Sequence, residues 1–84
     1  MIPTIFDLTI ISPTTIQTEK ILWVEVESPN GSFVVGPNHN PLVSLIKKQG
    51  TLSYRLANGN DTSMAVGGGI FSVSQNKAIA LLDQ

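Results

Sequence analysis

Few side chains in this sequence could do chemistry, and their spacing keeps them apart. His39 is the only histidine among the 84 residues. As a metal ligand it needs further strong donors, and its neighbours Asn38 and Asn40 are poor ones. As a catalytic group it needs a nucleophile or a carboxylate partner, and none lies near it in the chain. It reads as a loop histidine that makes hydrogen bonds at a surface or an interface. The six carboxylates, Asp7, Glu19, Glu25, Glu27, Asp61 and Asp83, are scattered. Glu25 and Glu27 would project from one strand face about 7 Å apart, but Lys20 and Trp23 close by describe an ordinary solvated face. Gly67-Gly68-Gly69 could cradle a phosphate only ahead of a helix, whose first amides make the cradle. The residues that follow, Ile70-Phe71-Ser72-Val73, read as a strand, and no Gly-Lys-Ser/Thr accompanies them. These glycines read instead as a bulge or a close backbone approach, or as bare backbone on which a neighbouring chain can pack. Asn30-Gly31-Ser32 and Asn60-Asp61-Thr62 match the glycosylation pattern, which is short and frequent by chance. No catalytic residue, cofactor or metal site is expected.

Composition narrows the class further. A chain this short buries roughly 60–65% of its unfolded surface, enough for one core and one domain over residues 1–84. The chain is 42% hydrophobic and only 13% charged, which argues against disorder and leaves apolar surface to spare for a partner. A net charge of −1 provides no basic face for a phosphate backbone, so no nucleic acid is expected. There are no cysteines, which removes disulfides and thiolate zinc sites. The first basic residue is Lys20, and Pro3, Asp7 and Pro13 interrupt the early apolar run, unlike a signal peptide. No apolar stretch approaches the roughly 20 residues of a membrane helix. Membrane association is expected only through a partner.

The elements that must position these residues are strands. Phe6, Leu8 and Ile10 alternate with Asp7 and Thr9. Leu22, Val24 and Val26 alternate with Trp23, Glu25 and Glu27. Leu52, Tyr54 and Leu56 alternate with Thr51, Ser53 and Arg55. In the last run Ile79 and Leu81 share the face opposite Ala78, Ala80 and Leu82. Ser28-Pro29-Asn30-Gly31, Ala57-Asn58-Gly59-Asn60 and Ser74-Gln75-Asn76 separate strand-like runs. Asn-Gly is a strong hairpin signal because both residues tolerate positive φ. One helical turn is expected within Asn40 to Lys48, with Pro41 at its first position. Trp23, on a mostly polar face, is either at the margin of the core or an interface anchor. The pattern predicts an all-β fold, a small sandwich or barrel.

Two segments go together: Gly31-Ser32-Phe33-Val34-Val35-Gly36-Pro37-Asn38-His39-Asn40-Pro41-Leu42, and Gly67-Gly68-Gly69-Ile70-Phe71-Ser72-Val73 followed by Asn76-Lys77. The first breaks at Gly36-Pro37 and resumes after Pro41, a rigid looped-out connection. The pair resembles the β-sandwich domain of the epsilon subunit of the rotary F-type ATP synthase. That family carries a Gly-x-Phe strand, a Pro-x-His-x-Pro-Leu loop and a Gly-Gly-x-x-x-Val strand with Asn-Lys after it, in this order. The sequence departs at Val34, where the family has a second glycine. It also has Asn38 for a glycine, Asn40 for an alanine, and Gly67 for a serine.

The resemblance implies two packed, mainly antiparallel sheets, and a non-catalytic rotor subunit of the central stalk. Such a subunit grips the gamma subunit and rests on the membrane c ring, in a complex that also holds alpha, beta and delta subunits. It couples ring rotation to ATP synthesis or hydrolysis in the catalytic head. Gly31, Ser32 and Phe33 match the family's ring-facing turn, and Ser12 and His39 match its gamma-facing side. The implied location is peripheral, on the cytoplasmic face of a bacterial inner membrane or the equivalent organellar face. Most family members continue into a C-terminal helical hairpin that in some bacteria binds ATP and can inhibit hydrolysis. This sequence stops at Gln84, where that hairpin would begin, so the resemblance implies that those functions are absent or supplied elsewhere. The alternative class is a free-standing β-sandwich module that binds a protein or a small ligand on the same scaffold, since fold alone does not fix function.

Overall fold

The computed structural model describes residues 5–83, and all of their regular structure is β. The strands are β1 (Phe6–Ile11), β2 (Ile16–Ser28), β3 (Gly31–Val35), β4 (Leu42–Ile46), β5 (Gly50–Leu56), β6 (Asp61–Val66), β7 (Gly69–Ser74) and β8 (Lys77–Leu82). Their hydrogen-bonded order is β4-β7-β8-β1-β2-β5-β6, with β3 attached to β2. Every pairing is antiparallel except that of β1 with β8.

The 13-residue β2 makes this continuous ladder a sandwich. Its first half, 16–21, pairs with β1, while its second half pairs with β5 and β3 on opposite edges. The ladder folds over at β2, so β4-β7-β8-β1 face β3, β5 and β6. Contacts across the layers fix this closure. The Phe33 ring on β3 meets Phe71 on β7 edge-on, with centroids 6.0 Å apart and planes at 66°. Lys47, just past β4, donates its N–H to the Glu27 carbonyl on β2 at 2.8 Å.

The core follows the alternation. Leu8, Ile21, Val24, Val26, Val35, Leu52 and Phe71 are fully buried, and among the described residues no buried side chain is polar. Burying an aliphatic or aromatic side chain of this size contributes about 1.5–3 kcal/mol. Such burial must hold the fold together, because the chain has no cysteine to crosslink it.

Three sequence expectations are corrected. The helical turn within Asn40 to Lys48 is instead strand β4, paired with β7 from Leu42↔Val73 to Ile46↔Gly69. Pro41 precedes that strand and does not open a helix. Leu22 does not share the buried face of Val24. The β2–β5 register shifts between Ile21↔Leu56 and Trp23↔Arg55, so one extra residue of β2 is accommodated there. The bulge turns Ile21 and Val24 both inward. Finally, in the Asn-Gly turns only the glycine takes positive φ, +132° at Gly31 and +94° at Gly59. At Ala57-Asn58-Gly59 the Gly59 N–H bonds to the Leu56 carbonyl at 2.8 Å, a type I turn closed by a left-handed glycine.

Candidate protein-interaction surface

Strand register assembles a surface that the sequence shows only in pieces. Ile16 pairs with Ile11, Ile11 with Leu81, Leu81 with Ile70, and Ile70 with Leu45. These five residues form one row across β2, β1, β8, β7 and β4. Neighbouring strands lie about 4.8 Å apart, so the row spans roughly 19 Å. Ile11, Leu81, Ile70 and Leu45 point away from the core, since their strand neighbours Ile10, Ala80, Leu82, Phe71 and Ile46 are buried, and Ile16 beside Ile11 is itself exposed. Ile16 is 72% exposed, Leu45 60%, Leu81 48% and Ile70 46%. The next row is Thr18, Thr9, Ile79, Ser72 and Val43, which adds two more exposed apolar residues. A third row is polar: Lys20 forms an ion pair with Asp7, and Asp7 lies opposite Lys77.

A contiguous apolar face of this kind, with a polar border, marks a contact surface and not the scattered exposure of ordinary proteins. Its cause is legible in β8. That strand turns Ala78, Ala80 and Leu82 inward and Ile79 and Leu81 outward, so two of its three core positions are small while bulkier residues face out. At one end of the row, residues 11–16 surround an open cavity of about 420 Å³.

Ser12 and His39 lie at opposite ends of this sheet. Ser12 follows Ile11 at the end of the apolar row. Its Oγ is 2.7 Å from Thr15 Oγ1 and accepts the Thr15 N–H at 3.2 Å, closing the β1–β2 turn. His39 precedes β4 at the other end and is exposed, with Nδ1 donating to the Asn40 carbonyl at 2.7 Å. The structure therefore does not bring the two together.

Gly31, Ser32 and Phe33 belong to the opposite layer. Gly31 and Ser32 are exposed, whereas Phe33 is half-buried and packs on the core. Ser28 Oγ accepts the Asn30 N–H at 3.3 Å and donates to the Gly31 carbonyl at 2.6 Å, which fixes this turn. Trp23 also lies on this layer's outer face, half-buried, with the Arg55 guanidinium 5.5 Å from its ring centre. Arg55 is held in turn by both Asp61 oxygens, at 2.6 and 3.1 Å. Hydrogen bonding to Arg55 pulls the Asp61 carboxyl below the ordinary range. Beside them, Trp23, Glu25, Ser53, Asp61, Thr62 and Ser63 line an open cavity of about 300 Å³. Burial pushes the Tyr54 phenol up, with Glu19 adding to the shift.

The glycine run serves the chain itself. A Cβ on Gly69 would stand 2.0 Å from the Leu81 carbonyl oxygen, and φ is +149° there. This is the close backbone approach expected on entering a strand. Among the described residues no three His, Cys, Asp or Glu side chains gather as a metal site. Among the described residues no helix is long and apolar enough to cross a membrane.

Comparison with known proteins gives one answer. The family of the ATP synthase delta/epsilon-chain β-sandwich domain matches residues 5–84. The ATP synthase epsilon chain of Corynebacterium aurimucosum is 32% identical over 79 residues, covering 87% of this chain and 65% of that one. That of Desulfitobacterium hafniense is 35% identical over 79 residues, covering 93% and 58%. Among solved structures, a chain of the Euglena gracilis mitochondrial ATP synthase (OSCP/F1/c-ring) superposes over 100% of this chain and 54% of its own. Its TM-score is 0.90 at 17% identity. A chain of the Tetrahymena thermophila mitochondrial ATP synthase central stalk and c ring covers 93% and 63%, with a TM-score of 0.77 at 14% identity. At those identities the structures show the fold. The chain spans 58–65% of the length of these curated relatives. It belongs to the ATP synthase delta/epsilon-chain β-sandwich family.

Proposed function

We propose that this member of the delta/epsilon-chain family acts, as one domain, as a non-catalytic rotor subunit in the central stalk of an F-type ATP synthase. Its apolar face, the row Ile16–Ile11–Leu81–Ile70–Leu45, seats against the gamma subunit, with Ser12 and His39 at the margins of that contact. The exposed turn at Gly31 and Ser32, on the other layer, meets the c ring. Rotation of the ring is thereby passed through gamma to the catalytic head, and the protein reaches the membrane only through the complex. Its place is on the cytoplasmic face of a bacterial inner membrane or the equivalent organellar face, beside alpha, beta and delta subunits.

The five-strand apolar row is the observation that carries this reading. A face that stays dry in service explains why β8 places two alanines inside while Ile79 and Leu81 stand outside. Permanent interfaces are more hydrophobic than transient ones and resemble a domain core cut in half. Leu45→Asp and Leu81→Asp test it, because both side chains already face water and neither supports the core. Both variants are expected to fold as the parent does and to lose co-purification with gamma, alpha and beta subunits. Retention of the whole complex by both would rule out this face as the contact. Failure of the unaltered protein to bring down any of these subunits would instead favour a free-standing binding module.

A further inference from the structure

The two Asn-Gly pairs occupy twin turns, and only one of them has its side-chain amide held. Both Asn30 and Asn58 are exposed and precede a glycine at positive φ. Asn58 Oδ1 accepts the Asn60 N–H at 2.9 Å. Its carboxamide is thus turned toward residue 60; the glycine N–H does not distinguish the turns, since Gly59 bonds to the Leu56 carbonyl and Gly31 is ladder-paired with Ser28. In the Asn30 turn the hydroxyl of Ser28 plays that capping part. The Asn30 carboxamide makes no hydrogen bond to any described residue and is free to swing toward Gly31. The remaining asparagines are hindered. Asn38 and Asn76 hold each other's side chains. Asn40 precedes Pro41, which has no N–H, and Asn60 precedes Asp61, whose side chain crowds the following nitrogen more than glycine does.

We propose that Asn30 is a site of spontaneous deamidation and isomerisation, and the fastest one in the folded protein. The Gly31 backbone nitrogen, after losing its proton to solvent base, attacks Asn30 Cγ. A C–N bond forms and the side-chain amide leaves as ammonia, giving a cyclic succinimide. Water then opens the ring at one of its two carbonyls. One opening gives aspartate, and the other gives isoaspartate, whose main chain runs through the β-carboxyl and is one methylene longer. One water enters, one ammonia leaves, and no oxidant is needed. Glycine in the next position leaves the attacking nitrogen uncrowded. Either product sets a new carboxylate at the tip of the β2–β3 hairpin, two residues from Ser32. The inference rests on the two turns and is independent of the subunit role.

The test is to age the intact folded protein at mildly alkaline pH in oxygen-18 water and map the labelled peptides over time. A parallel sample is aged in concentrated urea. Asn30 is expected to convert several-fold faster than Asn58 in the folded protein, and the two rates should converge in urea, where the turns are gone. Equal rates in the fold, or a faster Asn58, would overturn the proposal. So would the absence of conversion at Asn30 over a period in which the urea sample converts fully.

Discussion

Asn38 and Asn76 hold each other across 38 residues of chain. The Asn38 backbone N–H donates to Asn76 Oδ1 at 2.6 Å, and Asn76 Nδ2 donates to Asn38 Oδ1 at 3.1 Å. Both residues have φ of 61°, a left-handed conformation that asparagine tolerates better than most side chains. Asn76 is the second central residue of the β7–β8 turn, in which Gln75 also has positive φ, the primed geometry that matches strand twist. The clasp therefore ties the His39 loop to a hairpin that is rigid by its own geometry. Through the Asp7 N–H, which donates to the Asn76 carbonyl at 3.2 Å, it also reaches β1.

This clasp should be measurable as a coupling energy. Asn38→Gly and Asn76→Gly each keep the left-handed backbone available while deleting the side chain, so the bond between the two side chains can be isolated in a double-mutant cycle, while the bond from the Asn38 N–H is lost only in Asn76→Gly. The expected coupling is about 0.5–1.5 kcal/mol, the net worth of an ordinary hydrogen bond. Urea melts of the four proteins read it directly. Additive effects within error would mean that the loop is held by something else.

Two glycines should respond in opposite ways to the same change. Gly69→Ala drives a methyl into the Leu81 carbonyl and keeps φ at +149°, so a loss above about 2 kcal/mol is expected. Gly36→Ala meets nothing within 4 Å and needs no unusual φ. It should be neutral or stabilise by up to about 1 kcal/mol, through a less flexible unfolded chain. Thermal melts that rank the two variants equally would contradict the close approach at β7–β8.

Much of this fold is legible in residue alternation, and the misses share a physical cause. Phe6, Leu8 and Ile10 read correctly because Asp7 and Thr9 opposite them are polar. Leu42-Val43-Ser44-Leu45-Ile46 lost its period of two because its outward residues, Val43 and Leu45, are apolar as well. A strand with a core face on one side and an apolar outer face on the other looks like a short apolar run. Leu22 misled for a different reason, since a bulge adds a residue that no local signal announces. Ser12 and His39 enter only through the resemblance, and the apolar row exists only in the register of five strands. Trp23 was left open between core margin and interface anchor. The structure places it half-buried under Arg55 on an outer face.

That Trp23 site gives a pH prediction. The Arg55 hydrogen bonds lower the Asp61 pKa in the fold, so their stabilising contribution is present above the ordinary aspartate range. It is lost as pH falls through the lowered folded value. Both side chains are exposed, and the effect on stability should be small. The local readout is sharper, because Trp23 is the only tryptophan and the guanidinium lies over its ring. Acidification should release Arg55 and change Trp23 emission below the ordinary aspartate range. Arg55→Gln should remove that step and return the Asp61 titration, followed by NMR, toward the usual range. An emission step that survives in Arg55→Gln would disconnect the pair from Trp23.

The surface turns should separate assembly from folding. Ser32 is exposed on β3 opposite Glu27, so arginine in its place has room, and a carboxylate for a neighbour. His39 is exposed and bonds only to the carbonyl beside it, so removing its ring empties no cavity. Ser32→Arg and His39→Ala should therefore each shift stability by no more than about 0.5 kcal/mol, the range of ordinary surface changes. In the proposed rotor their effects diverge. A bulky charge at residue 32 would disturb seating on the c ring and loosen coupling, lowering ATP-driven proton pumping while ATP hydrolysis continues. Loss of the His39 ring would weaken the grip on gamma by about 1 kcal/mol or more if a partner group there is left unpaired, seen as easier dissociation from the isolated head. Melts of the purified variants and pumping by membranes that carry them give both halves of the comparison. Variants that melt early and lose pumping only in proportion to lost protein would make these turns folding elements and leave the rotor contacts to be sought elsewhere.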